Sequence, residues 1–324
     1  MGTPYANNGG GTTGSSYILY GHQAQSSVTR VGTELDNRIN GGTKADTISG
    51  LDGNDTLIGW EGDDTISGGS GQDSIRGDSG DDLINGGDGA DLLDGGLDDD
   101  SLQGGSGGDT FFASAGDDTV VGGSGADRLD FSRFTTAVTA NMGTGLASYA
   151  NGSGSATFSS ITVLVGGSGA DSFTGDGLNN QLLGANGNDA LSGAGGTDLL
   201  IGGAGRDTMT GSLSGGTEAD TFDFNLVAES GTTAATRDII TDFRHLSDKV
   251  DLSTIDAILG GGTANDTFSF IGTGAFTAAG QVRAVQEGSH TVLELNTSGT
   301  GGAESTIQLS NFTATTLTTL DFVL

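Results

Sequence analysis

The clearest pattern in this chain is an apolar residue that returns every nine positions among glycine and polar residues. From residue 41 to residue 130, ten nine-residue units follow one another without an insertion, beginning with GGTKADTIS and GLDGNDTLI. The eighth position of every unit is apolar: Ile48, Leu57, Ile66, Ile75, Ile84, Leu93, Leu102, Phe111, Val120 and Leu129. One apolar position in a short extended segment predicts a strand with a single buried face. Stacked units would align these side chains into a narrow core.

The sixth position of each unit is as regular as the eighth, and it is always aspartate. These residues are Asp46, Asp55, Asp64, Asp73, Asp82, Asp91, Asp100, Asp109, Asp118 and Asp127. Glycines elsewhere in the unit favour a tight turn, because glycine adopts positive φ without steric cost. Stacking would place each aspartate on the same side as its equivalent in the next coil. Carboxylates brought that close need a cation between them.

A second, weaker block of the same unit runs from residue 166 to residue 210. Its five sixth-position residues are Asp171, Asn180, Asp189, Asp198 and Asp207. The insertion GSLS at 211–214 then breaks the frame before a last unit, GGTEADTFD, which carries Asp220. A degenerate unit, GTELDNRIN, precedes the first block, with Asn37 in place of aspartate. We expect one roll at 32–130 and another at 166–223, with an irregular β insertion at 131–165 between them.

The composition excludes several classes of protein. The 324 residues include 62 glycines, one proline and no cysteine, and the formal net charge is -31. Such a charge favours disorder in a patternless chain, but the regular repeat indicates a fold. It would also repel nucleic acids and anionic membrane surfaces. Without cysteine, neither a disulfide framework nor a thiolate metal site is possible.

Calcium is the cation that best suits these carboxylates. Aspartate oxygens and the carbonyl oxygens of glycine-rich turns form an oxygen-only set of ligands, which suits calcium rather than zinc or copper. Carboxylates that bind calcium would have lowered pKa values. The predicted ligands are the ten sixth-position aspartates of the first block together with Asp171, Asp189, Asp198, Asp207 and Asp220.

The unit G-G-x-G-x-D-x-U-x, in which U is a large apolar residue, resembles the calcium-binding repeat of RTX (hemolysin-type) proteins. The resemblance implies an all-β fold, a right-handed parallel β-roll in which two units make one turn and calcium lies between turns. It implies about eight calcium ions in the first block and about three or four in the second. Some units depart from the pattern, at Lys44, Asp98, Ala113, Leu178 and Asn180.

The last hundred residues have a different character, with more phenylalanine, less glycine and strand-like segments such as DIITDF and KVDLSTIDAI. The order of segments 238–243, 248–253, 268–272 and 279–283 resembles the C-terminal region of serralysin-type metalloproteases. In that family this region caps the roll and holds the signal for type I secretion. The terminal DFVL is similar to the acidic and apolar tail of those proteins. The resemblance implies that 224–324 is a C-terminal β domain with the secretion signal.

The N-terminal residues 1–31 are rich in glycine, serine, threonine and asparagine. We expect a flexible segment there and no cleavable signal peptide. The longest aliphatic runs, such as 161–165, are too short to span a bilayer. Together with the resemblance to RTX proteins, this predicts an extracellular protein that leaves the cell through a type I secretion apparatus.

The sequence shows no credible catalytic site. The histidines, His22, His245 and His290, are too far apart for H-E-x-x-H, so the zinc-protease half of a serralysin is missing. A match to G-x-S-x-G at 104–108 lies inside a repeat unit rather than between a strand and a helix. Trp60 is a turn residue, for which simple exposure is a better interpretation than sugar stacking. We therefore expect that the chain is not an enzyme.

The expected function is calcium-driven folding coupled to export. In low cytosolic calcium the carboxylates would repel one another, and calcium at about 10⁻⁴ to 10⁻³ M outside the cell would fold the repeats. Two alternatives stay open. One is a non-catalytic accessory module of a secreted enzyme, such as a serralysin-type protease, a lipase or an alginate epimerase. The other is an S-layer, adhesin or nodulation-type surface protein with a polysaccharide or cell-surface target.

Overall fold

The computed structural model describes residues 16–17, 26–212, 218–258, 266–299 and 301–324. Their regular structure is almost entirely β-strand, with two single 3₁₀ turns at Ala314–Thr316 and Thr319–Asp321. The predicted all-β class is confirmed. Neither turn in these ranges has the length or apolarity of a membrane-crossing helix. Most of the predicted N-terminal segment, with His22, and part of the GSLS insertion lie outside the described residues.

The described residues form thirty strands. In chain order the first fifteen are β1 (Ser16–Tyr17), β2 (Thr29–Val31), β3 (Asn37–Gly42), β4 (Thr47–Asp52), β5 (Thr56–Glu61), β6 (Thr65–Ser70), β7 (Ser74–Ser79), β8 (Leu83–Asp88), β9 (Leu92–Leu97), β10 (Ser101–Ser106), β11 (Thr110–Phe112), β12 (Gly116–Ser124), β13 (Arg128–Asp130), β14 (Val138–Asn141) and β15 (Leu146–Tyr149). The other fifteen are β16 (Gly154–Ser159), β17 (Val163–Val165), β18 (Ser172–Thr174), β19 (Gln181–Asn186), β20 (Ala190–Ala194), β21 (Leu199–Ala204), β22 (Thr208–Ser212), β23 (Thr221–Asp223), β24 (Asp238–Ile240), β25 (Lys249–Asp251), β26 (Ser269–Phe270), β27 (Gln281–Glu287), β28 (His290–Asn296), β29 (Ser305–Leu309) and β30 (Phe322–Val323).

The chain divides into two compact units that interleave along the sequence. The first unit comprises Met1–Arg133 and Thr144–Val163, and the second comprises Phe134–Gly143 and Leu164–Leu324. The segment 131–165, which we expected to be one insertion, is therefore shared between the units. Strands β15 and β16 belong to the first unit, and β14 belongs to the second.

The strands of the first unit form two parallel stacks. One stack contains β1, β3, β5, β7, β9, β11 and β13, and the other contains β2, β4, β6, β8, β10, β12 and β16. Along the repeats, partners are 18 positions apart, as Thr47 and Thr65 are. Since each nine-residue unit contributes one strand, two units make one turn. The predicted parallel β-roll is confirmed.

The core of the first unit is the row of eighth-position side chains. All ten of these residues are at most 2 % exposed, whereas the seventh-position residues Thr47, Thr65 and Leu83 are exposed. Full burial of one aliphatic or phenylalanine side chain contributes about 1.5–3 kcal/mol. This row is thus the main apolar contribution to the stability of so thin a coil.

Left-handed backbone at the second and fourth positions turns the chain between strands. Gly69 and Gly71 occupy these positions with φ of 120° and 129°. Where the second position is not glycine, the same backbone persists, as at Trp60 with φ of 87°. The predicted departure at Asp98 likewise adopts a φ of 74° in the fourth position. Such residues are strained locally, so the stacking of the coils must maintain their conformation.

The end of the first unit is built from residues without the nonapeptide. Strand β16 pairs in parallel with β12, which places Phe158 opposite Val120, and pairs in antiparallel with β15. The rings of Phe131 and Tyr149, both buried, meet edge to face with centroids 6.1 Å apart. Aromatic side chains here provide the burial that single aliphatic residues provide along the repeats.

The second unit continues the same two-stack coil beyond its last nonapeptide. Its stacks are β14, β18, β20, β22, β24 and β29, and β19, β21, β23, β25 and β30. Strands β27, β28 and β29 then form an antiparallel sheet, in which Val282, Leu293 and Ile307 are fully buried. The last residues of the chain take part in the fold as strand β30, which pairs with β25.

Candidate calcium sites

Each sixth-position aspartate is buried and accepts a hydrogen bond from a backbone N–H of the coil before it. The Oδ1 atom of Asp64 accepts a hydrogen bond from the N–H of Asp46 at 2.6 Å. The same bond recurs along both stacks between residues 18 apart, with distances from 2.6 to 3.1 Å in the first unit. We call each such row of aspartates a carboxylate ladder. One oxygen of every carboxylate is thereby used in holding the coils together.

The other oxygen, Oδ2, is buried without a hydrogen-bond partner at twelve of the fifteen predicted ligands. These twelve are Asp46, Asp55, Asp64, Asp73, Asp82, Asp91, Asp100, Asp109, Asp127, Asp189, Asp198 and Asp207. A buried polar atom left unsatisfied costs about 1–3 kcal/mol, and a charged one costs more. A regular row of such atoms indicates cation sites.

Glycine carbonyl oxygens lie beside these carboxylate oxygens. At Gly59, the position that a Cβ would occupy is 2.7 Å from the carbonyl oxygen of Gly77 and is closer still to Asp64 Oδ2. The same pair of oxygens surrounds the first glycine of the units that begin at 50, 68, 77, 86, 104, 184 and 193. The absence of a side chain at this glycine therefore leaves room for two oxygens from different coils.

The donor set fits calcium. Among the described residues, no three acidic, histidine or cysteine side chains form a metal cluster, so a cation here would need backbone carbonyls among its ligands. Calcium takes six to eight oxygen ligands, about 2.3–2.6 Å away, in flexible geometry. An oxygen-only set disfavours zinc and copper, which prefer nitrogen or sulfur ligands. The sixth-position aspartates and the turn glycines are the residues that would hold the ion.

Three predicted ligands differ from the other twelve because protein donors satisfy both of their carboxylate oxygens. Ser114 Oγ donates to Asp118 Oδ2 at 3.1 Å, and the N–H of Gly167 donates to Asp171 Oδ2 at 2.9 Å. The third, Asp220, accepts a hydrogen bond from a serine hydroxyl and faces an arginine. These three residues keep their place in the ladders without a free oxygen.

Asparagine at the sixth position keeps part of the structural role of aspartate. The N–H of Asn180 donates to Asp198 Oδ1 at 2.8 Å, and that of Asn37 donates to Asp55 Oδ1 at 2.6 Å. The Oδ1 of Asn180 accepts from the N–H of Asp176 within its own turn. Both asparagines therefore continue the ladder but offer no charge to a cation.

Two ladder residues were missed by sequence reasoning because no nonapeptide contains them. Asp238 Oδ1 accepts from the N–H of Asp207 at 2.7 Å, and Asp248 Oδ1 accepts from that of Asp220 at 3.2 Å. These pairs are 31 and 28 residues apart instead of 18. Asp238 is fully buried, and its Oδ2 has no partner. A signal was present in both, since each aspartate stands two residues before a fully buried apolar residue, as in the repeats.

Burial and neighbouring carboxylates raise the pKa of the ladder aspartates. The pKa of Asp100 rises to about 8, through burial first and then through Asp118 and Asp82 on either side. Burial likewise raises the pKa of Asp64 to about 7 and that of Asp238 to about 8. The sequence predicts lowered pKa values for calcium-bound carboxylates, but the protein groups by themselves raise these pKa values. A divalent cation beside Oδ2 would offset the cost of charging them.

The candidate catalytic residues of the sequence make contacts that belong to the fold. Ser106, in the G-x-S-x-G match, lies in strand β10 and donates to Asp88 Oδ1 at 2.7 Å. His245 Nδ1 lies 2.9 Å from Asp321 Oδ1, next to the last strand. Trp60 is 39 % exposed in its turn. None of these contacts joins a nucleophile to a base and an orienting third group.

Comparisons with solved structures find partial similarity to subunits of an epimerase and to a lipase. The chain is 30 % identical to the AlgE6R3 subunit of the mannuronan C5-epimerase from Azotobacter vinelandii, over 48 % of this chain and 77 % of that one, with a TM-score of 0.34. For the AlgE6R2 subunit the identity is 28 %, the coverage 47 % and 88 %, and the TM-score 0.32. The extracellular lipase LipA from Serratia marcescens is 20 % identical, over 83 % of this chain and 40 % of that one, with a TM-score of 0.33. No curated protein matches the chain.

Two family models cover most of the sequence. The RTX calcium-binding nonapeptide repeat matches residues 31–66 and 67–102, and the model described as Peptidase M10 serralysin C terminal matches residues 106–324. The second match begins well before residue 224, so it includes the second block of repeats as well as the C-terminal strands. Both predicted resemblances are confirmed: the protein carries RTX calcium-binding repeats and belongs to the peptidase M10 serralysin C-terminal family.

Proposed function

We propose that this protein is secreted and that its rolls fold when they bind extracellular calcium. The observation that carries the proposal is the row of buried Oδ2 atoms without partners, nine of which lie beside a glycine carbonyl. In the unfolded chain these carboxylates are hydrated, whereas in the fold they need a cation. Because the site forms only in the folded chain, the free energy of calcium binding becomes free energy of folding.

The proposed ligands are the twelve aspartates with a free Oδ2, the neighbouring glycine carbonyls and, in addition, Asp238. The hydrogen bond to Oδ1 orients each carboxylate, so that its Oδ2 points into the glycine turn. Bound calcium supplies the positive charge shared by these oxygens. We expect about eight ions in the first block and about three or four in the second.

Type I export fits the same chemistry. A chain with a formal net charge of -31 is expanded by self-repulsion when its carboxylates have no counterion, and an expanded chain can pass a secretion channel. Extracellular calcium modules bind calcium at about 10⁻⁴ to 10⁻³ M, well above cytosolic levels. Family membership supports a secretion signal within 224–324.

Circular dichroism with and without calcium tests the folding proposal. We expect about 1 mM calcium to produce a large gain of β-type signal that a chelator reverses. Magnesium is the matched control, because it demands near-ideal octahedral geometry and releases its water reluctantly. A chain that is equally folded in chelator would overturn the proposal. For export, a secretion assay should show retention of the chain when residues 221–324 are deleted.

A second candidate function is that of a non-catalytic accessory module of a secreted enzyme. It is favoured by the family match, because the matching model describes one end of a peptidase. A catalytic reading frame beside the gene, or a longer native transcript, would support this candidate. Secretion of a chain of 324 residues without an attached catalytic domain would argue against it.

A further inference from the structure

We call each pair of successive ladder residues joined by the N–H to Oδ1 hydrogen bond a rung. The ladder that contains Asp198 ends in a rung unlike the others. Asp220 Oδ1 accepts from the N–H of Asp198 at 3.0 Å, and Asp248 Oδ1 accepts from that of Asp220 at 3.2 Å. The ladder bond therefore continues normally through this pair. The Oδ2 of Asp198 is free, as it is at eleven other sixth-position aspartates, but the oxygens of Asp220 and Asp248 are not. We call Asp220 and Asp248 the last rung.

A guanidinium group lies between the two carboxylates of the last rung. Arg244 Nη2 is 3.1 Å from Asp248 Oδ1 and 3.5 Å from Asp220 Oδ2. The same nitrogen donates to the backbone carbonyl of Glu218 and, at 3.4 Å, to Ser212 Oγ. One cation thus contacts carboxylates of two successive coils and a backbone carbonyl. Those are the kinds of oxygen that surround the free Oδ2 atoms elsewhere in the ladders.

The arginine is held in this position by its own backbone. The N–H of Arg244 donates to Asp248 Oδ2 at 2.8 Å, which ties the residue to the rung that its side chain neutralises. The carboxylates are almost fully buried, with side-chain exposures of 0 % for Asp220 and 1 % for Asp248, whereas that of Arg244 is 28 %. Guanidinium stays charged throughout the accessible pH range and offers several donors in one plane. It is therefore a permanent counterion for this pair.

The other ladder ends differently. Its last aspartate, Asp238, has a buried Oδ2 with no partner, and Ser230 Oγ accepts a hydrogen bond from its N–H. Within the described ranges, the ion pairs of Arg76, Arg128 and Arg133 are with aspartates outside the ladders. The arginine contact thus distinguishes the last rung from the rungs assigned to calcium.

We propose that Arg244 takes the place of a calcium ion at Asp220 and Asp248, so that the last rung closes without calcium. The assignment rests on the proposed function, which gives calcium to the other rungs, and it removes Asp220 from the set of calcium ligands. The last rung then stays closed at calcium concentrations at which the others open. In this ladder, calcium dependence is thereby confined to the coils before the last rung.

Arg244→Gln tests this role, and Arg283→Gln is the matched control. Arg283 also belongs to the second unit and pairs with Glu294 at 2.7 Å, away from the ladders. Calorimetry gives the number of calcium ions bound, and hydrogen exchange in chelator reports the amide of Asp220, whose N–H donates within the last rung. We expect Arg244→Gln to bind one calcium ion more than the wild type. Its Asp220 amide should lose protection in chelator and regain it in calcium, with neither effect in Arg283→Gln.

An unchanged ion count in Arg244→Gln, with unchanged protection of Asp220 in chelator, would overturn the role of Arg244. If Arg244→Gln does not fold, Arg244→Lys keeps the positive charge and should retain the wild-type ion count, and one additional ion in Arg244→Lys would contradict the proposal. A wild type that binds no calcium would refute the proposed function. The exchange comparison in chelator would then still decide whether Arg244 closes the last rung.

Discussion

Asp82 Oδ1 accepts a hydrogen bond from the N–H of Asp64 at 2.7 Å, while the Oδ2 of the same carboxylate is buried without a partner. The two oxygens of one side chain therefore have separate tasks. One oxygen joins consecutive coils of the fold, and the other is available to a cation. Substitutions that affect only one of these tasks can separate the contributions of the hydrogen bond and the charge.

Replacement of Asp82 by asparagine keeps an amide oxygen for the ladder bond but removes the charge. We expect Asp82→Asn to bind fewer calcium ions than the wild type and to lose about 1.5–3 kcal/mol of stability in calcium, as for a buried charged hydrogen-bonding group. Calorimetric titration and denaturant unfolding would measure both effects. Asp88→Asn makes the same change of charge at an exposed position of strand β8 and should leave both values near wild type.

A side chain at Gly59 would occupy the space of the two oxygens that face the ion. We expect Gly59→Ala to lose calcium-induced folding of its coil, because the new Cβ would overlap Asp64 Oδ2 and the Gly77 carbonyl. Calcium titration followed by circular dichroism would show a higher midpoint or a smaller amplitude. The control is Gly177→Ala, since no atom lies within 4 Å of a Cβ there. A wild-type titration of Gly59→Ala would contradict the proposed position of the ion.

The narrow core makes each eighth-position residue important for stability. Ile84 is fully buried, and its truncation to alanine should destabilise the calcium-bound protein by about 2–5 kcal/mol. Its neighbour Leu83 is 53 % exposed on the other face of strand β8, so Leu83→Ala should change stability by less than about 0.5 kcal/mol. Urea unfolding in saturating calcium would measure the difference. Equal effects of the two substitutions would contradict the assigned register.

The pH dependence of stability follows from the raised pKa values of the ladder carboxylates. Burial, with neighbouring aspartates, raises the pKa of Asp73, Asp82 and Asp91 to about 6, that of Asp64 to about 7 and that of Asp100 to about 8. Groups with a raised pKa favour the folded state below their unfolded pKa of about 3.9, and this contribution is lost as the pH rises through the folded value. In chelator, the fold should therefore be more stable near pH 4 than near pH 8.

Calcium should reverse this trend, because protons and calcium compete for the same oxygens. We expect calcium affinity to increase between about pH 4 and pH 8. The folded fraction in chelator, followed by circular dichroism, and calcium titrations at the same pH values would check both directions. Asp100→Asn should flatten the upper part of the chelator profile, since Asp100 has one of the highest pKa values in the ladders. Stability in chelator that increases with pH would contradict the prediction.

Asp238 extends a carboxylate ladder beyond the nonapeptides. We expect Asp238→Asn to bind one calcium ion fewer than the wild type, because it removes the charge of a fully buried carboxylate with a free Oδ2. Asp256→Asn is the control, since Asp256 is a partly exposed residue of the same unit that caps the N–H of Ile258. Calorimetry would give the ion counts. An unchanged count in Asp238→Asn would restrict calcium to the repeats.

The repeat itself determined much of the structure. Asp64 and Ile66 stand two positions apart in one unit, and an extended strand places alternate residues on the same face, so both are buried. Because every unit has nine residues, the same residue types recur at the same height of each coil. The resemblance to RTX proteins implies two units in each turn, and the observed register of 18 agrees with it. Strand type, core row and ladder could thus be predicted from local sequence.

Only the tertiary structure decided what happens where the period fails. Asp238 and Asp248 join the ladders across loops of irregular length, and spacing alone could not align them with Asp207 and Asp220. The division of 131–165 between the two units likewise depends on strand pairing over long distances. Most of all, the fold brings Arg244 between Asp220 and Asp248. A charge distant from Asp220 in sequence can replace an ion only when the coil has closed around it.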